Sequence, residues 1–301
     1  MSGNYKSGFV SIIGRPNVGK STLLNSILGE KVAIVTNKPQ TTRNIIRGIY
    51  TTENAQIVFV DTPGIHEASV KLSQNMLKMA HNSLNDADIV LFIVAAQSSS
   101  IKKGDVDIIK GFKTINRPIF LAINKTDTIQ KGDVLPLIEQ YSKFHSFAEI
   151  IPISATKGDN IMLLKDSIIS YLERGPKYFS SENLTDMPDS FIIEEMIREK
   201  ALYMLSEEIP HGIAVLVEQL AQRNNKDIID IEATIYCEKQ SHKGIIIGKQ
   251  GDMIKKIGIA AKNDIQRLYE AKINLQLWVK VKKGWRNSDF YLKSFGLNAD
   301  K

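Results

Sequence analysis

The sequence predicts an α/β domain, with a mostly parallel sheet and helices on both faces, followed by a smaller α+β domain. Three observations carry this. Residues 14–21, GRPNVGKS, fit the pattern G-x-x-x-x-G-K-[ST] and lie between an apolar run at 8–13 and a segment at 21–28 whose apolar positions recur at helical spacing. Further short apolar runs at 56–60, 88–94, 118–123 and 150–153 have the continuous hydrophobicity of strands buried on both faces, and each leads into a polar motif or a turn. Residues 175–190 then collect glycine, two prolines and several turn formers, the composition of a domain boundary. The predicted division is residues 1–175, a linker at 176–190, and a second domain at 191–301.

The bulk composition restricts the class. At 301 residues, 43% hydrophobic and 24% charged, the chain suits two ordinary cores. No apolar run approaches the ~20 residues that span a bilayer, and the polar stretch 1–7 lacks the apolar segment of a targeting peptide. An organellar origin is therefore not expected. A single cysteine, Cys237, excludes an internal disulfide and reads as a packed strand residue. The net charge of +6 is unevenly spread: residues 182–238 hold 4 basic and 13 acidic side chains, whereas 239–286 hold 12 basic and 3 acidic. A basic block of that kind points to a polyanion-binding face.

In the first domain, the backbone N–H groups of Gly14, Arg15, Pro16, Asn17, Val18, Gly19, Lys20, Ser21 and Thr22 form the candidate polyphosphate cradle, proline excepted as a donor. Lys20 would reach the β and γ phosphates and the Ser21 hydroxyl would ligate Mg²⁺. In the polar segment Pro39-Gln40-Thr41-Thr42-Arg43, a threonine can complete the Mg²⁺ shell and contact the γ-phosphate. Thr42 is the first choice and Thr41 the alternative. The strand at 56–60 delivers Asp61-Thr62-Pro63-Gly64. There Asp61 can hold Mg²⁺ through water and the Gly64 N–H can bond the γ-phosphate, which makes residues 65–71 a candidate switch.

The strand at 118–123 runs into Asn124-Lys125-Thr126-Asp127. An N-K-x-D spacing lets the Asp127 carboxylate accept two hydrogen bonds from the N1–H and exocyclic amine of guanine; adenine offers the wrong pattern. Ser154-Ala155-Thr156 follows the next strand, and a backbone N–H there can meet the guanine carbonyl oxygen. These five motifs, in this order, resemble a translation-factor-class small GTPase over residues 7–175. Thr156 departs from the lysine that relatives often carry.

Ras-like GTPases place a water-orienting glutamine just after the D-x-x-G turn. Here Ile65 stands in that position and cannot polarise water, so the chain resembles the hydrophobic-substituted branch. That resemblance implies that Asn17 helps bind K⁺, giving slow intrinsic turnover stimulated by K⁺ more than by Na⁺. The expected catalytic set is Asn17, Lys20, Thr42 and Gly64, with Ser21, Thr42 and Asp61 around Mg²⁺.

The second domain reads as a helix at 191–207, strands at 212–220 and 228–238, a long helix ending near 271, a strand at 273–282 and a short helix near 288–295. Gly248-Lys249-Gln250-Gly251 opens the long helix inside the basic block. This order resembles a type II KH domain, whose G-x-x-G loop lets a nucleic-acid backbone approach beside a groove for about four single-stranded nucleotides. Gly248 and Gly251 remove side-chain bulk, and Lys249 and Gln250 face phosphate and sugar. Ile245, Ile246, Ile247 and Ile254 floor the groove, with Lys243, Lys255 and Lys282 as flanking cations.

A GTPase domain followed by a type II KH domain resembles the Era family. Matching stretches are Pro39-Gln40-Thr41-Thr42-Arg43, Thr185-Asp186-Met187-Pro188, Arg198-Glu199-Lys200 and His242-Lys243-Gly244-Ile245-Ile246-Ile247-Gly248. The resemblance implies a bacterial, monomeric ribosome-assembly GTPase that uses GTP/GDP and Mg²⁺ and binds the 3′ end of 16S rRNA on the 30S subunit. It implies a cytoplasmic location with a peripheral fraction on the inner membrane.

Overall fold

A computed structural model describes residues 4–36, 38, 40–64, 70–96, 101–223 and 227–298. The chain forms two compact units. The first comprises Met1–Ala33, Thr42–Ala68 and Ser73–Asp186, and the second Ile34–Thr41, Ser69–Leu72 and Met187–Lys301.

The first unit follows the order β1 (Lys6–Ile13), α1 (Lys20–Leu28), β2 (Ile46–Thr51), β3 (Ala55–Asp61), α2 (Lys71–Asp86), β4 (Ile89–Ala95), α3 (Lys103–Lys110), β5 (Ile119–Asn124), α4 (Lys131–Ser142), β6 (Glu149–Pro152) and α5 (Ile161–Tyr171). The six strands are arranged β2-β3-β1-β4-β5-β6, with only β2 antiparallel to its neighbour. Every residue of β3 and β5 is buried, the pattern of central parallel strands covered on both faces. Because the strands are parallel, the loops after β1, β3, β5 and β6 emerge at the same sheet edge, and these loops carry the sequence motifs. The β2 strand and helices α2, α3 and α4 were not read from sequence. Each has a mixed polar and apolar face that takes shape only against this sheet.

The stretch read as a linker is largely part of this unit. The fully buried Gln56 amide accepts from the Tyr178 and Phe179 N–H groups at 2.8 and 3.0 Å and donates to the Phe179 carbonyl at 3.0 Å. The Ile49 N–H bonds the Leu184 carbonyl at 2.8 Å, and Arg47 pairs with Asp186 at 2.5 Å. A proline-rich composition marked irregular backbone here, and that backbone is satisfied by the outer strands.

The second unit follows the order α6 (Asp189–Met204), β7 (Ala214–Gln222), β8 (Ile228–Cys237), α7 (Gln240–Ile247), α8 (Asp252–Tyr269), β9 (Lys272–Val281) and α9 (Asp289–Ser294). The sheet order is β7-β8-β9, with β7 antiparallel and β9 parallel to the central β8. Ile231, Ala233, Ile235 and Cys237 alternate onto the inner face of β8. Against them pack Ile193, Ile197 and Ala201 of α6, and Ile257, Ala261 and Ile265 of α8, each set at i, i+4 spacing. Trp285 is wholly buried and donates its indole N–H to the Gly212 carbonyl at 2.9 Å. Burial raises the Cys237 thiol pKa, as expected of a packing residue.

Arg198 and Glu199, both nearly inaccessible, face the Ile34–Thr41 segment of the same unit. Glu199 accepts the Val35 N–H at 3.1 Å, and the Tyr203 hydroxyl donates to the Val35 carbonyl at 3.1 Å. Arg198 donates to the Thr41 carbonyl and forms a two-point pair with Glu195.

Candidate nucleotide and nucleic-acid sites

The P-loop is closed by main-chain geometry that only glycine allows at its end. Gly19 caps α1 at φ +103°, and a Cβ there would lie 2.3 Å from the Asn124 amide nitrogen. Asn17 also takes a left-handed conformation. Lys20 is buried, and its ammonium turns back onto the Gly14 and Arg15 carbonyls at 3.2 and 3.1 Å. Burial lowers its pKa to about 8, with Asp61 opposing the shift.

Three oxygen-bearing side chains converge beside it. The Ser21 hydroxyl donates to Asp61 Oδ2 at 2.7 Å and lies 2.8 Å from the Thr42 hydroxyl, which is itself 3.5 Å from the same carboxylate oxygen. The other carboxylate oxygen of Asp61 is buried with no hydrogen-bond partner. Burial pushes the Asp61 pKa up to about 6, against Lys20 and the two hydroxyls that favour the charged form. An all-oxygen cluster with an unsatisfied buried carboxylate atom fits a hard divalent cation such as Mg²⁺. Thr41 makes its contacts elsewhere, with the Thr36 hydroxyl at 2.7 Å and the Lys38 carbonyl at 2.6 Å. Thr62 bonds the Ile12 carbonyl at 2.8 Å and is fully buried, so it anchors the turn. Ile65, which stands where Ras-like GTPases carry glutamine, lies outside the described residues, as do Pro39 and most of the expected 65–71 switch.

The guanine-reading loops meet at the same edge. Asp127 accepts the Ser154 hydroxyl at 2.6 Å, which orients its carboxylate, and Thr126 bonds the Ile153 carbonyl at 2.9 Å. Lys125 extends its ammonium to the Asn17 carbonyl at 2.8 Å. The Asn124 amide bridges the P-loop and Ala155 of the loop after β6. Thr156 sits 3.3 Å from the Ser154 hydroxyl. Arg15 turns its guanidinium out of the loop to Asp105 of α3, a residue not singled out from sequence because its partner lies 90 positions away.

In the second unit the G-x-x-G turn joins two helices, of which α7 was not anticipated. Gly248 has φ +76°, and a Cβ on it would lie 2.8 Å from the Met253 nitrogen. Gly251 has φ +82° in open space and caps α8. Lys249, Gln250 and Lys255 are exposed. Ile245 is exposed, while Ile247 and Ile254 are half-buried and pack on the core. Ile246 corrects the expectation of a groove floor of four isoleucines, because it is completely buried in the core beneath the turn. The α7 helix places 245 and 246 on different faces, about 100° apart around the helix axis. Lys282 lies 5.4 Å from the centre of the Tyr291 ring.

Residues 9–125 match the family model described as a 50S ribosome-binding GTPase, and residues 208–286 match that of the KH domain. GTPase Era of Ruminiclostridium cellulolyticum is 52% identical over 99% of both chains, and that of Clostridioides difficile 52% identical over 98% of this chain and 99% of its own. The chain belongs to the GTPase Era family. Among solved structures of that family, Era in complex with MgGDPNP and nucleotides 1506–1542 of 16S ribosomal RNA superposes with a TM-score of 0.94, at 39% identity, covering 98% of this chain and 99% of that one. A single-residue variant of Aquifex aeolicus Era bound to GDP·AlF4⁻ gives 0.93 at 38% identity, covering 97% and 99%. Family membership makes the chain a GTPase with a KH domain, the architecture and activity that the motifs imply.

Proposed function

We propose that this chain is a GTP-hydrolysing switch that binds the 3′ end of 16S rRNA and acts in assembly of the 30S subunit. The observation that carries this reading is full-length likeness to an Era bound to MgGDPNP and 16S rRNA nucleotides, joined to the intact Ser21–Thr42–Asp61 cluster and the Gly248–Gly251 turn, whose Lys249 and Gln250 are exposed. In this reading the first unit, which extends to Asp186, is the G domain, and residues 191–301 of the second unit are the RNA-binding domain.

Ser21, Thr42 and Asp61 would hold Mg²⁺, which would supply positive charge to the β and γ phosphates. Lys20 leaves the Gly14 and Arg15 carbonyls for the phosphates, and the Gly64 N–H reports the γ-phosphate. Asp127, oriented by Ser154, selects guanine. Asn17 contributes to a K⁺ site that supplies charge in place of an arginine finger; matched rates in K⁺ and Na⁺ at equal ionic strength would contradict this. Loss of the Thr42 and Gly64 contacts on hydrolysis changes RNA affinity. Equal RNA affinity in the GDPNP and GDP states would exclude that coupling.

We further propose a cytoplasmic monomer with a peripheral membrane fraction, as the family resemblance implies. Among the described residues no helix is long and apolar enough to cross a membrane. The deciding experiment is cross-linking and sequencing of bound RNA in cells, comparing the unaltered chain with Gly248→Asp, Gly251→Asp. Enrichment at the 3′ end of small-subunit rRNA, lost in the variant, is expected. Broad recovery insensitive to the variant would overturn the RNA assignment.

A further inference from the structure

Arg15 occupies a built seat outside the P-loop. Its Nε donates to Asp105 Oδ1 at 2.7 Å and its Nη2 to Oδ2 at 3.1 Å, a two-point fork on a carboxylate only 1% exposed. The buried Tyr141 hydroxyl donates to the same Oδ2 at 3.3 Å. Burial and the neighbouring Asp105 raise the Tyr141 pKa, so it remains a donor throughout the physiological range. Gly104 completes the seat by leaving room: a Cβ there would lie 2.7 Å from Arg15 Cδ.

Stability alone is a weak reason for this arrangement. Replacing a buried ion pair with well-packed apolar side chains is commonly neutral or stabilising, whereas the pair holds one geometry. What it holds is the phosphate loop. The Arg15 carbonyl accepts from Lys20, so the residue whose side chain is anchored to α3 also carries a main-chain partner of the loop lysine. Tyr141 belongs to α4, the helix that follows the Asn124–Asp127 motif, and the seat therefore links the phosphate end of the site to the guanine end.

We propose that Gly104, Asp105 and Tyr141 are positioning residues for nucleotide binding and hydrolysis. They keep the Arg15 guanidinium away from the phosphates and, through it, set the main chain from Gly14 to Asn17. Arg15 is then neither a phosphate ligand nor an internal arginine finger, because its charge is matched by Asp105. This rests on the loop being the GTP phosphate site, and binding of a fluorescent GDP by the unaltered chain tests that assignment separately.

The test is a double-mutant cycle on the full chain, reading the dissociation rate of fluorescent GDP and the KM and kcat for GTP. Arg15→Met and Asp105→Leu are each expected to speed GDP release about tenfold and raise KM in step, with kcat changed less. The double variant is expected to be no worse than the worse single one. Arg15→Lys, which keeps the charge and loses the fork, should behave like Arg15→Met. Losses that multiply in the double variant would show that the guanidinium meets phosphate directly and would overturn the proposal, as would unchanged release and KM in Asp105→Leu. Circular dichroism checks folding. If Asp105→Leu does not fold, Tyr141→Phe decides: about two- to threefold faster release supports the seat, and an unchanged rate overturns it.

Discussion

Asn124 closes the P-loop at Val18: its side-chain amide donates to the Val18 carbonyl at 2.9 Å, while its carbonyl oxygen accepts the Ala155 N–H at 3.0 Å. A residue of the guanine-reading motif thus works as a brace between three loops and is almost wholly buried. Removing it leaves one acceptor and one donor unpaired in the interior.

Asn124→Ala should therefore lower the unfolding free energy by about 2 kcal/mol and accelerate GDP release about tenfold. Urea denaturation and nucleotide exchange check both. An unchanged denaturation midpoint would show that water or a shifted loop replaces the amide.

Asp127, proposed to accept two guanine donors, becomes in Asp127→Asn an amide that offers one acceptor and one donor pair. GTP affinity should fall by at least about a hundredfold, and xanthosine triphosphate, which presents a carbonyl where guanine has its amine, should become the better substrate. The Ser154 hydroxyl can still donate to the remaining side-chain oxygen, so the fold should be unaffected. Competition binding with the two nucleotides is decisive.

Glu194 makes stability fall with pH. Burial pushes its pKa up to about 7, aided by neighbouring Glu195 and opposed by the Val217 N–H that it accepts at 2.9 Å. A carboxyl with a raised folded pKa binds more protons folded than unfolded, so its contribution is present below the unfolded value near 4.5 and lost as pH rises through about 7. Discounted for its partial solvent access, the loss is on the order of 2 kcal/mol. Glu194→Gln should keep the Val217 bond, flatten the decline between pH 4.5 and 7, and stabilise the protein at pH 8. A variant with the parental pH profile would refute the assignment.

Gly248 and Gly251 should differ in their sensitivity to alanine. Both have positive φ, which costs about 1–2 kcal/mol for a residue with a Cβ, but only Gly248 also directs that Cβ at Met253 backbone. Gly248→Ala should cost at least about 3 kcal/mol and displace the start of α8, whereas Gly251→Ala should cost about 1 kcal/mol. Equal costs in urea denaturation would contradict this.

Much of the site was legible because its chemistry is local. GRPNVGKS, DTPG, NKTD and the G-x-x-G turn each place several functional groups within a few residues, next to a strand or helix whose apolar period is plain. Their backbone torsions follow from residue type, as with Gly19 and Gly248. Charge segregation in the second half likewise needs no coordinates.

Only the tertiary structure decided what depends on partners distant in sequence. Thr42 rather than Thr41 stands beside Ser21 and Asp61, because the Thr41 hydroxyl is engaged with the Thr36 hydroxyl and the Lys38 carbonyl. Ile246 is buried while Ile245 is exposed because α7 turns successive side chains to different faces. The 176–186 stretch became an edge of the first unit because the buried amide of Gln56 needs its backbone. Asp105 gave no local pattern, since a buried carboxylate acquires meaning only when a guanidinium 90 residues away reaches it. Sequence determined the motifs and their order because torsional preference and apolar period are written within a few residues of each other. Burial and pairing are properties of the packed chain, and they assigned the supporting roles.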